Sequence, residues 1–463
     1  MRRSASWLST FLAMLALAGA PAARADESGA FPRPAQLEAQ VRFWRKIFAE
    51  YSTHQVVLHD ALDLNKVYGV LDFRQHVDDG MSDADLDHLQ RVETDIELER
   101  VRTILLRLHT LGGATDGLTA EERKIYDLYK DDPADDRFLQ AASDKRLRSQ
   151  RGLREKFAHG LAVARHYWPE MERIFREEGL PTELTRLPLV ESCFNVMAYS
   201  KVGAAGIWQF MPSTGRRFLD VGRAVDERRD PIASTRAAAR FLREMHDNLD
   251  TWPLTITAYN HGPAGIARAV RELGTADIGT IVRDYRGSAF GFASRNFYAE
   301  FLAAVDVAQH WQDHFETLPA CGIPSSREVR LERAVGIEVA ARLAGTDRDT
   351  LADLNPALMR PVTDGKCAIP RGYRLRVPES GRGFEVRLAQ LGAESDAVRE
   401  TAPHRDGVRL RTAALTYRVR SGQSLEHIAK HHKVSVAALR KANGLGKVAR
   451  LKPGQRLRIP RST

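Results

Sequence analysis

Apolar residues recur at helical spacing through most of the chain, which predicts a mainly α protein. In LERVRTILLRLHTLGG, Val101, Ile104, Leu105 and Leu108 share a face, and Gly112-Gly113 closes the run. In ASTRAAARFLREMHDNL, Ala238, Phe241, Leu242 and Met245 form an apolar face behind a Ser234 or Thr235 cap. LPTELTRLPLVES carries Leu184, Leu187 and Val190 at helical spacing after Pro181, with Pro188 expected to strain its last turn. Two stretches depart from the helical period, QVVLHD and KVYGVLDF, and read as short β segments. They lie in residues 26–150, a charged, mostly helical region without a motif that carries chemistry. Its simplest reading is packing, or an extension of a substrate groove.

The C-terminal part contains an internal repeat. Residues 425–445 laid on residues 337–357 place Ala429 on Ala341, Leu439 on Leu351 and Asn443 on Asn355, 88 positions apart. Ser435 falls on Asp347, and both are good N-caps. The strands that follow, LKPGQRLRIP and IPRGYRLRVP, match too, with Gly454 over Gly372, Leu457 over Leu375 and Pro460 over Pro378. With TYRVR and EVRLE ahead of them, both units read β-α-α-β. The repeat defines modules at 326–379 and 416–461, with a charged linker at 380–415.

Composition sharpens this organisation. With 463 residues, 43% hydrophobic and 28% charged, the chain is a globular protein of several domains. Arg2 and Arg3 precede the apolar run WLSTFLAMLALAGA and the small-residue site Ala23-Arg24-Ala25, so residues 1–25 read as an export signal. No cysteine stands near that site to accept a lipid, and no later segment is apolar enough to cross a membrane. Removing residues 1–25 takes three arginines and no acids, so the net charge goes from +9 to +6. A basic exported protein is drawn to polyanions such as cell-wall polymers. The basic residues are scattered without interleaved aromatics, which argues against nucleic acid. Of the three cysteines, Cys193 reads as a small buried hydrophobe, whereas Cys321 and Cys367 could pair. No Cys/His spacing suggests a metal, and no cofactor is implied.

The stretch ESCFNVMAYSKVGAAGIWQFMPSTG (191–215) changes the picture most. Glu191 heads a run whose next carboxylate is Asp220. GAAG permits close approach of a bound chain. IWQFMP follows with Gln209 and Met211, and further on AYNHGPAG offers Tyr259 and Asn260, polar side chains of a kind that orient sugars. A lone Glu in apolar surroundings is hard to ionise, which suits a general acid. Most glycosidases use two carboxylates. One suffices if it first protonates the glycosidic oxygen and then, as carboxylate, deprotonates an internal hydroxyl that closes on the anomeric carbon.

The blocks ESCFNVMAYSKVGAAGIWQFMPSTGRRF, AYNHGPAG and SRNFYAEFLAA resemble the soluble lytic transglycosylase (SLT) catalytic domain over roughly residues 170–310, within a catalytic domain at 151–318. The layout resembles the membrane-bound lytic murein transglycosylase D family, although no lipid-anchor cysteine is present. The resemblance implies a lysozyme-like α fold and non-hydrolytic cleavage of the MurNAc–GlcNAc β-1,4 bond, leaving 1,6-anhydroMurNAc ends. It implies that Glu191 is acid then base, that Ser200, Gln209 and Met211 line sugar subsites, and that Tyr259 places Glu191 or the N-acetyl group. Asn260 completes its block. Residues 416–461 resemble a LysM module, which implies glycan binding through Gly422, Ser424, Pro453 and Gly454; the first copy reads as degenerate. The expected partner is peptidoglycan in the periplasm, with other cell-wall enzymes as possible companions. A hydrolytic muramidase and a catalytically silent wall-binding scaffold remain alternatives.

Overall fold

A computed structural model describes residues 29–381, 383–390, 415–419, 424–431, 434–445 and 455–459. The signal reading at 1–25, most of the linker, and Gly422, Pro453 and Gly454 lie outside the described residues. The chain divides into two compact units, residues 1–389 and 390–463.

The first unit is mainly α, as the periodicity predicts. Its largest core is built from the helices Arg154–Glu177, Pro231–Leu249, Trp252–His261 and Phe292–Gln309. The N-terminal helix Glu38–Ala49 also belongs to it, burying Val41, Phe43, Trp44, Ile47 and Phe48 against Phe292–Gln309. Part of the N-terminal region is therefore continuous with the core around Glu191. The rest forms a second core under a three-stranded antiparallel sheet. The two expected β segments appear as Gln55–Asp60 and Val67–Asp72, joined by Leu147–Arg151, a strand the sequence pattern does not announce.

Two local expectations need correction. Pro188 does not strain a last turn. The helix Leu187–Ser192 starts one residue before it, so Pro188 occupies the first turn, where its missing N–H costs nothing. The preceding residues Thr182–Arg186 are 3-10 helix. The cap of Pro231–Leu249 is Asp230, whose carboxylate accepts from the N–H groups of Ile232 and Ala233 at 2.8 Å. Ser234 and Thr235 lie inside the helix and turn their hydroxyls back onto the Asp230 and Pro231 carbonyls.

The first repeat unit has its own small core, with strands Ser326–Arg330 and Arg374–Pro378 around helices Ile337–Ala344 and Arg348–Leu354. It is fastened to the large helical core. Val225 is buried within it, Asp226 N–H donates to the Ala357 carbonyl (2.8 Å), and Met359 N–H donates to the Ala224 carbonyl (3.0 Å).

In the second unit, strands Leu415–Arg418 and Arg456–Ile459 pair antiparallel beside helices Leu425–His431 and Val436–Asn443. The two copies share one clamp. Asn355 bonds the Leu351 carbonyl and both backbone groups of Arg376, and Asn443 does the same with Leu439 and Arg458. Asp347 and Ser435 cap equivalent helices.

Cys321 and Cys367 are free. Cys321 packs on the edge of the large core, whereas Cys367 is exposed on the first repeat unit, so no bridge forms. Among the described residues no helix is long and apolar enough to cross a membrane.

Candidate functional site

Glu191 occupies the last turn of the short helix Leu187–Ser192, where the chain reverses. The reversal uses two non-glycine residues in the left-handed region, Cys193 (φ 48°) and Phe194 (φ 54°). Such backbone costs about 1 kcal/mol or more per residue and persists only when its surroundings enforce it. Here Cys193 N–H bonds the Leu189 carbonyl, Phe194 N–H bonds the Pro188 carbonyl, and the Phe194 ring is buried against Tyr167. The neighbouring helix passes so close that a Cβ at Gly160 would lie 2.4 Å from the Cys193 carbonyl oxygen.

The loop after it is held from several sides. Ser192 Oγ donates to the Ile207 carbonyl (3.0 Å). Gly206 (φ 74°) passes so near the 226–230 segment that a Cβ would sit 1.8 Å from the Arg228 carbonyl oxygen. The buried Arg228 guanidinium pairs with Asp226 (2.7 Å) and donates to the Gly203 and Phe210 carbonyls. Ser200 Oγ accepts from Ala204 N–H, and the Gln209 side-chain amide donates to the Gly206 carbonyl. Both side chains thus serve the loop itself. Met211 stays exposed ahead of Pro212–Gly215. Trp208 is fully buried, stacked on Phe175, with its indole N–H on Thr235. It is a core residue.

Tyr259 O–H donates to the Trp208 carbonyl (2.8 Å). Burial, and then the nearby Glu191 charge, push its hydroxyl well above the ordinary 10. Asn260 accepts from Ser294 Oγ (2.9 Å), which joins two helices. The structure therefore brings Tyr259 to Glu191 and places Asn260 in a structural bond.

Glu191 retains some solvent contact, yet protein crowds its carboxyl. Desolvation alone raises it from 4.5 to about 8. The sequence reading found no second acid nearby, and the structure corrects this. Glu300, on Phe292–Gln309, is raised from 4.5 to about 8, first by burial and then by the charge of Glu191. Its helix packs on the one that carries Glu191. Two such carboxyls do not both ionise at neutral pH.

A direct check is Glu300→Lys. An ammonium beside Glu191 favours the carboxylate, and an opposite charge lowers such a pKa by about 1–3 units. A fall from about 8 to roughly 6 cuts the protonated fraction at pH 7 about tenfold. The expected result is about tenfold lower activity at pH 7, recovered near pH 5. A purely structural defect would not recover on acidification.

A cavity of 1990 Å³ runs along residues 190–197, with Glu191 in its lining. His159 and His166 also line it, as do Arg348 and Arg360 of the first repeat unit. Ser200, Gln209, Met211, Tyr259 and Asn260 do not line it. In the second unit Ser424 is exposed just ahead of Leu425–His431.

Comparison with known proteins now bears on this geometry. The transglycosylase SLT domain family matches residues 171–282, and the LysM domain family matches residues 417–460. The chain is 29% identical over 323 residues to the membrane-bound lytic murein transglycosylase D of Escherichia coli (strain K12), spanning 68% of each protein. The same figures hold for that protein of Escherichia coli O6:H1 (strain CFT073). Among solved structures, an inactive mutant of lytic transglycosylase Slt from Pseudomonas aeruginosa overlaps 47% of this chain and 37% of its own, at 18% identity and a TM-score of 0.26. That score is below the level at which two folds count as alike. The matches cover both the loop-and-helix frame around Glu191 and the second repeat unit, and the chain thus combines a transglycosylase SLT domain with a C-terminal LysM domain and resembles the membrane-bound lytic murein transglycosylase D family.

Proposed function

We propose that the protein is an exported lytic transglycosylase that cleaves the MurNAc–GlcNAc β-1,4 bond of peptidoglycan in cell-wall turnover or remodelling. The observation that carries this is Glu191, whose carboxyl stays protonated at neutral pH because it is desolvated. Its proton passes to the glycosidic oxygen as the C1–O bond breaks. The resulting carboxylate then takes the proton of the MurNAc 6-hydroxyl, whose oxygen bonds C1 and gives a 1,6-anhydro end. The substrate N-acetyl group can stabilise the positive charge at C1. Tyr259, anchored through Trp208, fixes the wall beside Glu191. Ser200, Gln209 and Met211 would meet sugar around the loop, the first two with the lone pairs and protons their loop bonds leave free.

Glu300 supports a second reading, a hydrolytic muramidase, because two carboxylates can activate water. Its raised pKa argues against it as a nucleophile or base at neutral pH. Product analysis decides. Mass spectrometry of murein digested by the mature chain is expected to show anhydro ends; reducing MurNAc ends alone would overturn the reading.

The sign of the pH dependence follows from Glu191. The reaction needs the protonated form first, so kcat/KM should be level below the pKa and fall as pH rises through about 8. A basic limb near 5 would contradict this assignment. The LysM domain would act as a tether that raises the local concentration of the catalytic domain on the polymer. Export to the periplasm rests on the N-terminal signal pattern.

A further inference from the structure

Arg229 stands out among the arginines around the site. Its neighbour Arg228 is paired with Asp226, and Arg376 is paired with Asp230. Arg229 is half-buried, yet among the described residues its guanidinium meets only two thioethers, Met197 Sδ at 3.2 Å and Met359 Sδ at 3.5 Å. Thioether sulfur is a weak acceptor. Among the described residues no carboxylate lies within ion-pair distance of Arg229; burial lowers its pKa, an effect that the charge of Asp226, already paired with Arg228, offsets only in part. A desolvated cation without a counter-ion of its own is costly to keep. One methionine comes from the Glu191 loop and one from the first repeat unit, and Arg229 and Met197 lie in the lining of the cavity.

The first repeat unit adds Arg348 and Arg360 to the same cavity, both exposed, with Asp349 and Asp353 between them. Among the described residues, Arg348 pairs only with the adjacent Asp349, at 3.3 Å. The lining therefore mixes arginines with carboxylates, Glu328, Asp349, Asp353 and Asp364 of the repeat unit among them. A bare glycan offers hydroxyls and N-acetyl groups, which do not call for arginines. A short peptide with free carboxylates and an amine does.

We infer that the 326–379 repeat unit, together with Arg229, forms a binding site for the peptide substituent carried on the substrate strand, with Arg229 holding a peptide carboxylate. This rests on the transglycosylase reading for the identity of the strand. It also gives the first repeat unit a role different from that of the LysM domain: it is a fixed wall of the cleavage site, and its contacts are to peptide.

The test uses the full mature chain, with Arg229→Ala and the exposed double variant Arg348→Glu/Arg360→Glu. Each is assayed on peptide-bearing murein chains and on the same chains stripped of peptide by an amidase. On peptide-bearing chains kcat/KM is expected to fall on the order of tenfold, as for loss of one charge-assisted contact, with little change on stripped chains. Equal losses on both substrates, or none on either, would overturn the inference. Arg229→Lys keeps the charge and should restore most of the preference; a Lys variant as weak as the Ala variant would also overturn it. If the wild-type chain cleaves neither substrate, the catalytic reading fails, and calorimetric titration with a soluble peptide-bearing disaccharide still reads the site. Tighter binding to wild type than to the double variant supports it, and equal binding sinks it.

Discussion

Glu191→Gln is expected to abolish murein cleavage, lowering kcat by about 10³-fold or more, while leaving the fold intact and more stable at neutral pH. Gln cannot donate a proton to the glycosidic oxygen or accept one afterwards, so both halves of the proposed reaction lose their proton carrier. General acid–base catalysis contributes typically about 10²–10⁴-fold to a rate, and here one side chain supplies it in both steps. The stability effect has an independent sign. In the folded protein Glu191 is raised from 4.5 to about 8, so between these values the native state holds a proton that the unfolded state has released. Wild-type stability therefore falls as pH rises through this window and levels off above about 8. Gln removes that loss. At pH 7 the variant should be more stable by about 3 kcal/mol, and the advantage should vanish near pH 4. Turbidity clearing of sacculi and thermal unfolding at several pH values check both parts. Residual clearing near the wild-type rate would remove Glu191 from the chemistry, and a variant less stable at every pH would show that the carboxyl is not desolvated.

The same chemical signal in the sequence found Glu191 and passed over Glu300. Glu191 was legible because it heads a carboxylate-free run. Glu300 satisfies the same criterion, being the one acid between Asp284 and Asp306. It was missed because the two acids are 109 residues apart and only the packing of Phe292–Gln309 on Leu187–Ser192 brings them together. Local chemistry fared better. The repeat showed in the spacing of Asn355 and Asn443, because each makes the same three backbone bonds and no other side chain of that length supplies a donor and an acceptor together. Helix ends were less legible where several capping residues competed. Asp230, Ser234 and Thr235 are all good caps, and Pro231 decides among them by favouring the first helical position. The family resemblance implies sugar contacts for Ser200 and Gln209, and their loop bonds show that polar side chains in a tight glycine-rich turn also satisfy the backbone.

Arg376→Ala is expected to destabilise the chain by about 3–5 kcal/mol, because it leaves the buried carboxylate of Asp230 without its counter-charge. The Arg376 guanidinium lies 3.0 Å from Asp230, and the two side chains are only 10% and 8% exposed. One partner comes from the first repeat unit and the other from the start of Pro231–Leu249, 146 residues away. The pair therefore fixes the repeat unit against the helical core more than it adds to either. A double replacement separates the two effects. Arg376→Leu with Asp230→Ala removes both charges, so most of the loss should return, apart from about 1 kcal/mol for the Asp230 helix cap. Thermal unfolding of wild type, both single variants and the double variant completes the cycle. If the singles and the double lose the same stability, the pair does not fasten the repeat unit, and burial of Val225 with the backbone bonds of Asp226 and Met359 must hold it instead. If the cycle shows strong coupling, the wall that carries Arg348 and Arg360 is set in place by one buried ion pair. The single variants should then loosen that wall, and peptide-bearing substrate should sense it before stripped glycan does.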